Sequence, residues 1–341
     1  MLALKVPLGK AEKWKDYLVK NSLYNKDYKI KKEKGFIFLP IKKRFHIIRA
    51  KEDIWFTEKK LEKQNKIISN LKEALKGKLS ENELKEAPNS YDIIGDIAVM
   101  EIPEGLEKKE KIIGKTLLEI NPKIKTVLKK ADIHSGEFRT QNMKYIAGKK
   151  TKETIYRENN VRIKLDVEKV YFSVRLSHER ERIANMIKKG ETVLVMFSGC
   201  APYPLVISKN TEAKEIYGVE LNPAAHKYGI ENIRLNKSKN IKLFLGDVKE
   251  VVPKLNMKFD RILMPLPKTG KDFLDTALNA SKKGTVIHFY DFGTEKEFKE
   301  IHKKIKKICK KENKKCKILH TEKCGDYAPY VYRVCVDFKV M

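Results

Sequence analysis

Short apolar segments alternate with segments of helical period in the C-terminal half of the chain, from about residue 171. The segments with the length and composition of buried strands are residues 192–197, 215–220, 241–245, 261–264 and 285–290. Alternation of strands with helices predicts a parallel sheet that is covered by helices on both faces. The strand-like residues 316–320, followed by the period-two alternation of residues 330–338, predict a final antiparallel hairpin. We therefore expect a Rossmann-like α/β domain with a mixed seven-stranded sheet.

The N-terminal half has a weaker pattern, which divides into two small α+β units. Residues 1–65 form the first unit, with a helix near residues 11–21, a strand at 35–40 and a lysine-rich amphipathic segment after residue 52. Residues 66–90 are polar and charged, so we interpret them as a linker with helical stretches. Residues 91–170 form the second unit, and residues 171–341 form the sheet domain. Within the second unit we predict a strand pair at 91–100, a helix near 108–121 and strands at 125–128, 153–157 and 161–166.

The formal net charge of +29 indicates a polyanionic partner, because a field of this size attracts polyanions and raises their encounter rate. Nucleic acid is the predicted partner. A single lysine run is better explained as the solvated face of a helix. In the run 303–317, for example, Phe298, Ile301 and Ile305 recur at helical spacing and place the lysines outside. Only the total excess of positive charge argues for nucleic acid.

Membrane, disulfide and metal chemistry are not indicated by the sequence. It has no uncharged apolar run of about 18 residues and no signal peptide, so we expect a cytoplasmic protein without membrane contact. The cysteines show neither a C-x-x-C pair nor the Cys/His spacing of a zinc site. They are Cys200, Cys309, Cys316, Cys324 and Cys335. We predict no structural disulfide and no metal.

Residues that directly follow the predicted strands form a candidate nucleoside site, because ligands of open parallel sheets bind beyond the carboxyl ends of the strands. Glu220 ends strand two about twenty residues after Gly199, which suits hydrogen bonds to two ribose hydroxyls. Asp247 follows strand three, where its carboxylate can accept from an adenine amino group. A single glycine or aspartate after a strand is common in ordinary turns, but here such residues follow the successive predicted strands in order. The predicted cofactor-binding set is Phe197, Ser198, Gly199, Glu220, Leu221, Asp247, Val248 and Pro265.

The loop after strand one distinguishes between two cofactors. A pyrophosphate needs the G-x-G-x-x-G turn so that backbone amides can reach it, but Gly199 is followed by Pro202 and Pro204. S-adenosylmethionine has no phosphates and tolerates this loop. The final hairpin is also typical of a class I methyltransferase sheet. We therefore predict S-adenosylmethionine rather than NAD.

Several strings of the sequence resemble one family, the archaeal and eukaryotic tRNA (guanine-37, N1)-methyltransferases, and most closely its archaeal members. The strings are YDIIGD at 91–96, HSGEFR at 134–139, KVYFSVR at 169–175 and ER at 179–180. The resemblance covers nearly the whole chain from residue 91, and residues 1–65 match only in general pattern. It implies that the N-terminal domain grips the outer corner of tRNA and that the middle domain holds the anticodon loop.

The resemblance also implies roles for single residues. The family's catalytic arginine, which steadies the guanine oxygen, falls on Arg139, and its general base falls on Glu179. This fits the chemistry, because the proton on guanine N1 must leave as the methyl group arrives, while negative charge develops on the oxygen. We add Pro265 to the catalytic set and expect a monomer. The predicted tRNA contacts are Arg139, Tyr171, Arg175 and Lys268.

Structural roles stay open for several of these residues. Glu179 lies in the string ERER, which is also typical of a solvated helix with salt bridges. Arg139 could instead anchor a phosphate, since most arginine contacts to nucleic acid go to the backbone. Tyr171 and Phe172 suit either base stacking or burial.

The loop after strand four departs from the family pattern. Relatives that make only methylguanosine carry asparagine where this chain has Pro265. This loop, with residues 201–207, resembles an archaeal branch that also methylates the tricyclic base 4-demethylwyosine at position 37. We infer that proline relaxes the demand for a guanine edge. The alternatives are a methyltransferase acting on rRNA, another RNA or protein, and a non-catalytic RNA-binding protein.

Overall fold

The computed structural model describes residues 1–46, 54–63, 70–132 and 136–341. His134 and Ser135 of the HSGEFR string and residues 66–69 of the predicted linker lie outside this range. The chain divides into two compact units, Met1–Ser69 and Asn70–Met341. Within the described ranges, no helix combines the length and the apolar character needed to cross a bilayer.

In its described residues, the unit Met1–Ser69 is a small sheet with one helix of ten residues, α1. The strands pair antiparallel in the order β2-β3-β1-β4. Leu4, Leu18 and Leu39 are fully or almost fully buried in its core. The helix and the strand predicted near residues 11–21 and 35–40 are confirmed, whereas the first strand was not predicted. The elements are β1 (Leu2–Pro7), α1 (Ala11–Lys20), β2 (Lys31–Glu33), β3 (Phe36–Pro40) and β4 (Trp55–Glu58).

Two short helices occupy the described part of the predicted linker, α2 (Leu71–Leu75) and α3 (Glu81–Glu86). The side chains of Asn70 and Ser80 cap them by accepting from backbone N–H groups. The helical stretches were predicted, but the segment packs against the rest of the protein. Leu75 is fully buried in the core of the following sheet, because each short helix has an apolar side that needs cover.

A four-stranded sheet follows, in the order β5-β6-β7-β8, with one parallel pair, β6 and β7. Its strands are β5 (Asp92–Ile94), β6 (Ile97–Met100), β7 (Thr126–Lys130) and β8 (Met143–Gly148), and its helix is α4 (Glu110–Ile120). A hairpin of β9 (Glu153–Glu158) and β10 (Val161–Asp166) comes next. The Asn232 side chain bonds both backbone groups of Lys164 in this hairpin, and so ties it to the large sheet domain. The division at residue 170 therefore stays a prediction.

The large sheet has seven strands in the order β13-β12-β11-β14-β15-β17-β16. The first five strands are parallel to one another, and β17 pairs antiparallel with both of its neighbours, β15 and β16, which confirms the predicted mixed sheet. The strands are β11 (Thr192–Met196), β12 (Glu215–Glu220), β13 (Ile241–Leu245), β14 (Phe259–Met264), β15 (Ser281–Gly293), β16 (Cys316–Ala328) and β17 (Val331–Val340). The helices are α5 (Ser177–Asn185), α6 (Pro202–Asn210), α7 (Pro223–Asn236), α8 (Val248–Lys254), α9 (Leu274–Asn279) and α10 (Phe298–Lys311).

Helices on both faces of the large sheet bury its strands on both sides. In β11, Val193 and Val195 belong to one core, and Leu194 and Met196 to the other. On α10, Ile305 is fully buried while the neighbouring lysines are largely exposed, as the helical spacing predicted. Among the described residues, the short 3-10 segments are Leu8–Lys10, Glu104–Lys109, Val174–Leu176, Gly270–Phe273 and Glu295–Glu297.

Candidate cofactor and acceptor site

A cavity of about 580 Å³ opens at the carboxyl ends of β11 to β14. This is the place where parallel α/β sheets bind ligands. Every residue of the predicted cofactor set lines it, as do Arg139 and Tyr171 from the catalytic and tRNA-contact sets. The predicted residues that line this cavity are Arg139, Tyr171, Phe197, Ser198, Gly199, Glu220, Leu221, Asp247, Val248 and Pro265.

Glu220 is held at the cavity by backbone donors. The amide of Gly199 donates to one of its carboxylate oxygens at 2.6 Å, and the amide of Asn222 donates to the other at 2.8 Å. Burial raises the pKa of Glu220, although the same backbone hydrogen bonds oppose the shift. Gly199 has a φ of +56°, a backbone conformation that residues other than glycine rarely adopt. The backbone thus fixes the Glu220 carboxylate at the cavity wall, where it can accept from a ligand hydroxyl.

Ser198 and Asp247 place two further polar groups in the cavity. The Ser198 hydroxyl is buried and has no hydrogen-bond partner among the described residues. Asp247 caps α8 by accepting from the Lys249 amide at 2.7 Å. The rings of Phe197 and Phe273, two other lining residues, meet edge to face with their centres 4.9 Å apart. Carboxylates, an unpaired hydroxyl and aromatic rings fit a nucleoside with free ribose hydroxyls.

Arg139 reaches the loop that follows β14. Its guanidinium donates to the carbonyl oxygen of Pro267 at 2.8 Å and to the Thr269 hydroxyl at 3.4 Å. Burial lowers the pKa of Arg139, which still leaves the group cationic at neutral pH. Arg333 of β17 lines the same side and donates to the Tyr171 hydroxyl at 2.8 Å. The cavity thus has a cationic side next to Pro265.

Glu179 does not line the cavity. It lies buried on α5, with 4% of its surface exposed, and three donors converge on its carboxylate. Arg182 donates to both oxygens at 2.6 and 2.8 Å, and the hydroxyl of Tyr290 donates at 2.6 Å. Tyr290 does line the cavity, so its side chain connects the cavity wall to Glu179.

A buried network continues from Glu179 across the sheet. Arg182 also donates to Asp337 at 2.7 Å, and Asp337 contacts His288 Nδ1 at 2.6 Å. Arg261 can only donate, so its contact of 2.8 Å with His288 Nε2 makes that nitrogen the acceptor and leaves the proton on Nδ1. Burial lowers the pKa of His288, which agrees with a neutral ring. Burial opposes ionisation of Asp337, but hydrogen bonds from His288 and Arg182 outweigh it and lower the Asp337 pKa.

Two predicted tRNA contacts lie outside the cavity. Arg175 is exposed and pairs with Asp92, with nitrogen-to-oxygen distances of 3.0 to 3.3 Å. Lys268 is exposed and its ammonium lies 5.3 Å from the centre of the Tyr327 ring. The structure therefore does not group these two with Arg139 and Tyr171, and their contacts with tRNA stay predictions.

Sequence reasoning missed several residues of the cavity wall. Asn222 caps α7 directly before Pro223, a start signal that the sequence displays. Tyr203, Tyr290 and Arg333 carry no comparable local signal, because only the packing of α6 and β17 against β15 brings them to the cavity.

Family models match three successive parts of the chain. The TRM5/TYW2 methyltransferase domain matches residues 154–319, the TYW2 N-terminal domain matches residues 71–151, and the tRNA methyltransferase 5 N-terminal domain matches residues 3–47.

Two curated archaeal proteins are similar over much of the chain. The tRNA (guanine(37)-N(1))-methyltransferase Trm5b of Pyrococcus abyssi is 37% identical over 99% of both chains. A tRNA (guanine(37)-N(1))/4-demethylwyosine(37)-methyltransferase, Taw22 of Nanoarchaeum equitans, is 34% identical over 73% of this chain and 98% of its own.

Solved structures agree with these matches. The crystal structure of Pyrococcus abyssi Trm5b covers 100% of this chain and 99% of its own, with a TM-score of 0.81 at 37% identity. A complex of aTrm5 with tRNALeu covers 99% of both chains, with a TM-score of 0.78 at 33% identity. Methanocaldococcus jannaschii TYW2 in complex with AdoMet covers 74% of this chain and 99% of its own, with a TM-score of 0.58 at 28% identity. The chain therefore belongs to the TRM5/TYW2 methyltransferase family.

Proposed function

We propose that the chain transfers the methyl group of S-adenosylmethionine to N1 of guanine-37 in tRNA. The observation that carries the proposal is the composition of one cavity, which joins a nucleoside-binding side around Glu220 to a cationic side around Arg139 and Pro265. The similar Trm5b protein bears this activity in its name, and a solved relative holds AdoMet.

The chain's own residues divide the work. Glu220 accepts from the ribose hydroxyls, Asp247 accepts from the adenine amino group, and Gly199 allows close approach of the backbone. The bound cofactor supplies an electrophilic methyl group on a sulfonium. Arg139 stabilises the negative charge that grows on the guanine oxygen as N1 loses its proton, and Glu179 is the final acceptor of that proton.

Binding of tRNA is supported by the net charge of +29 and by the solved complex of aTrm5 with tRNALeu. We assign the anticodon loop to residues 91–170 and the outer corner of tRNA to residues 1–65, with a monomer as the active form. Deletion of residues 1–69 tests the assignment, because the truncation falls at the boundary between the two compact units. It should weaken binding of whole tRNA and leave binding of an isolated anticodon stem-loop unchanged. Equal loss for both RNAs would contradict the assignment.

A second substrate, 4-demethylwyosine at position 37, is favoured by Pro265. This proline lines the cavity at the loop beside Arg139, where the acceptor base enters. The similar Taw22 protein carries both activities in its name. Guanine must lose a proton, whereas the tricyclic base offers a carbon nucleophile, so one cavity can serve both if its contacts to the base edge are few.

Mass spectrometry of nucleosides tests both proposals. Transcripts with guanine-37 and tRNA bearing 4-demethylwyosine are incubated separately with the enzyme and isotope-labelled cofactor. We expect one labelled methyl group on each base. Label on guanine-37 alone would remove the second substrate. Label on rRNA or protein, with none on tRNA, would contradict the primary proposal. Cofactor binding without transfer to any acceptor would indicate a non-catalytic RNA-binding protein.

A further inference from the structure

Tyr290 stands between the cavity and the proposed general base. Tyr290 is one of the residues that line the cavity, although only 1% of its surface is exposed, whereas Glu179 is not one of them. The hydroxyl of Tyr290 donates to Glu179 at 2.6 Å. The hydroxyl of Tyr203 donates to the oxygen of Tyr290 at 3.0 Å. A phenol has one proton and two lone pairs. Tyr290 therefore donates a hydrogen bond to Glu179, accepts one from Tyr203, and keeps one lone pair that no described hydrogen bond uses.

Glu179 is fixed in this buried position. Arg182 holds both of its oxygens and is itself held by Asp337 at 2.7 Å. Asp337 receives a further hydrogen bond from the neutral ring of His288. A rotation of Glu179 into the cavity would break three charge-assisted contacts and leave the partly buried Arg182 paired with Asp337 alone, which is costly. The proton must therefore travel to Glu179.

We propose that Tyr290 is a catalytic residue that relays the proton of the acceptor base to Glu179. The inference rests on the proposed function. The N1–H bond of guanine breaks as its proton moves to the Tyr290 oxygen, and the original Tyr290 proton moves to Glu179. The electron pair of N1 forms the new bond to the methyl carbon, and the pair of the breaking carbon–sulfur bond stays on sulfur. Tyr290 ends neutral, and Glu179 ends protonated.

The environment of Tyr290 suits a relay and not a base. Burial raises its pKa well above the ordinary value of a phenol, and the nearby cysteine, tyrosine and glutamate add to the shift. A lasting tyrosinate is thus unfavourable. In the relay the two protons move together, so the negative charge never rests on the phenol oxygen. Before the transfer the negative charge lies on Glu179, which forms an ion pair with Arg182.

Tyr290→Phe tests the relay, because it removes one hydroxyl and keeps the ring. We expect the single-turnover rate of guanine-37 methylation to fall by about a hundredfold, within the range for loss of a proton-transfer group. Cofactor and tRNA dissociation constants should stay unchanged. Tyr217→Phe is the matched control, because the hydroxyl of this buried tyrosine also donates to a glutamate, Glu215, at 3.0 Å, away from the cavity. Its rate should equal that of the wild type.

Two further measurements separate a relay from a structural role. In Glu179→Gln the relay has no terminus, so adding Tyr290→Phe should slow the reaction no further. Rates measured in mixtures of light and heavy water should indicate two protons in motion for the wild type. A wild-type rate in Tyr290→Phe, multiplicative losses in the double variant, or a single proton in motion would each overturn the relay. None of these results would contradict the proposed function, which fails only if the wild-type enzyme leaves guanine-37 unmethylated.

Discussion

The cofactor side and the acceptor side of the cavity are built in different ways. On the cofactor side, each polar residue lies at or shortly after a strand end. Two backbone amides hold Glu220: that of Asn222, two residues after β12, and that of Gly199, three residues after the neighbouring strand β11. On the acceptor side, side chains hold side chains: Arg182 of the same helix and Tyr290 of β15 donate to Glu179, and Asp337 of β17 in turn holds Arg182.

This difference predicts a division of labour. Backbone contacts at strand ends are preorganised by the sheet and serve binding, which needs the same geometry before and during the reaction. A buried network of charges can hold a proton acceptor at a defined position and compensate its change of charge. Changes on the acceptor side should therefore lower the rate of the chemical step, and changes on the cofactor side should lower affinity.

The largest effect is expected for Glu179→Gln. The single-turnover rate of guanine-37 methylation should fall by roughly a hundredfold to ten-thousandfold, because the proton then has no acceptor. Cofactor and tRNA affinity should stay at wild-type values in equilibrium titrations. Glu168→Gln is the matched control, since Glu168 also pairs with a cation, Lys152, but lies outside the cavity. Unchanged chemistry with weakened tRNA binding would make Glu179 a structural residue.

Arg139→Ala should slow the chemical step by about a hundredfold to a thousandfold, the usual effect of removing a donor to a developing oxyanion. Arg139→Lys keeps the charge but loses the fork that reaches Pro267 and Thr269, so it should recover only part of the rate. Salt-dependent binding of tRNA supplies the contrast. If Arg139 anchors a phosphate instead, Arg139→Ala should weaken tRNA binding and reduce the salt slope by about one, with little change in chemistry.

Glu220→Ala and Asp247→Ala should each weaken cofactor binding about tenfold to a hundredfold, measured by calorimetry. Asp247→Asn sharpens the test, because asparagine retains the cap on α8, whose loss costs about 1 kcal/mol. A melting temperature restored by Asp247→Asn, with affinity still reduced, would assign the affinity loss to the carboxylate. Glu215→Gln, at the far end of β12, should bind as the wild type does. Normal affinity in both alanine variants would contradict the cofactor site.

Pro265→Asn should have the smallest effect, a few-fold shift in the ratio of the two substrates. Asparagine adds an amide side chain and a backbone donor at the cavity wall, which favours an acceptor with a guanine edge. Methylation of 4-demethylwyosine should fall more than that of guanine-37 when each tRNA is supplied alone. An equal fall of both rates would show that Pro265 shapes the loop without selecting the base.

Much of the fold could be predicted because its signals are local. The alternation of strand and helix from residue 171 fixes the parallel sheet, and the strands at 215–220 and 241–245 have the predicted bounds. Strand β8 (Met143–Gly148) was not predicted. Residues 143 and 146 are buried but 144 and 145 are exposed, so the segment lacks clear alternation. For the packed helices α2 and α3 the sequence predicts only helical stretches of a linker, since their apolar residues are few and gain burial only against the core of the following sheet.

By itself, the sequence determined the cofactor side of the cavity, because a residue that follows a strand of a parallel sheet lies at the ligand-binding edge wherever the strand is found. Gly199, Glu220 and Asp247 could thus be placed without coordinates. The tertiary structure decided the acceptor side. Arg182 and Asp337 are 155 positions apart and meet because β17 pairs with β15 opposite His288, under α5. No local pattern in the sequence encodes that register. Only the assembled sheet therefore separates Glu179 from the cavity and places Tyr290 between them.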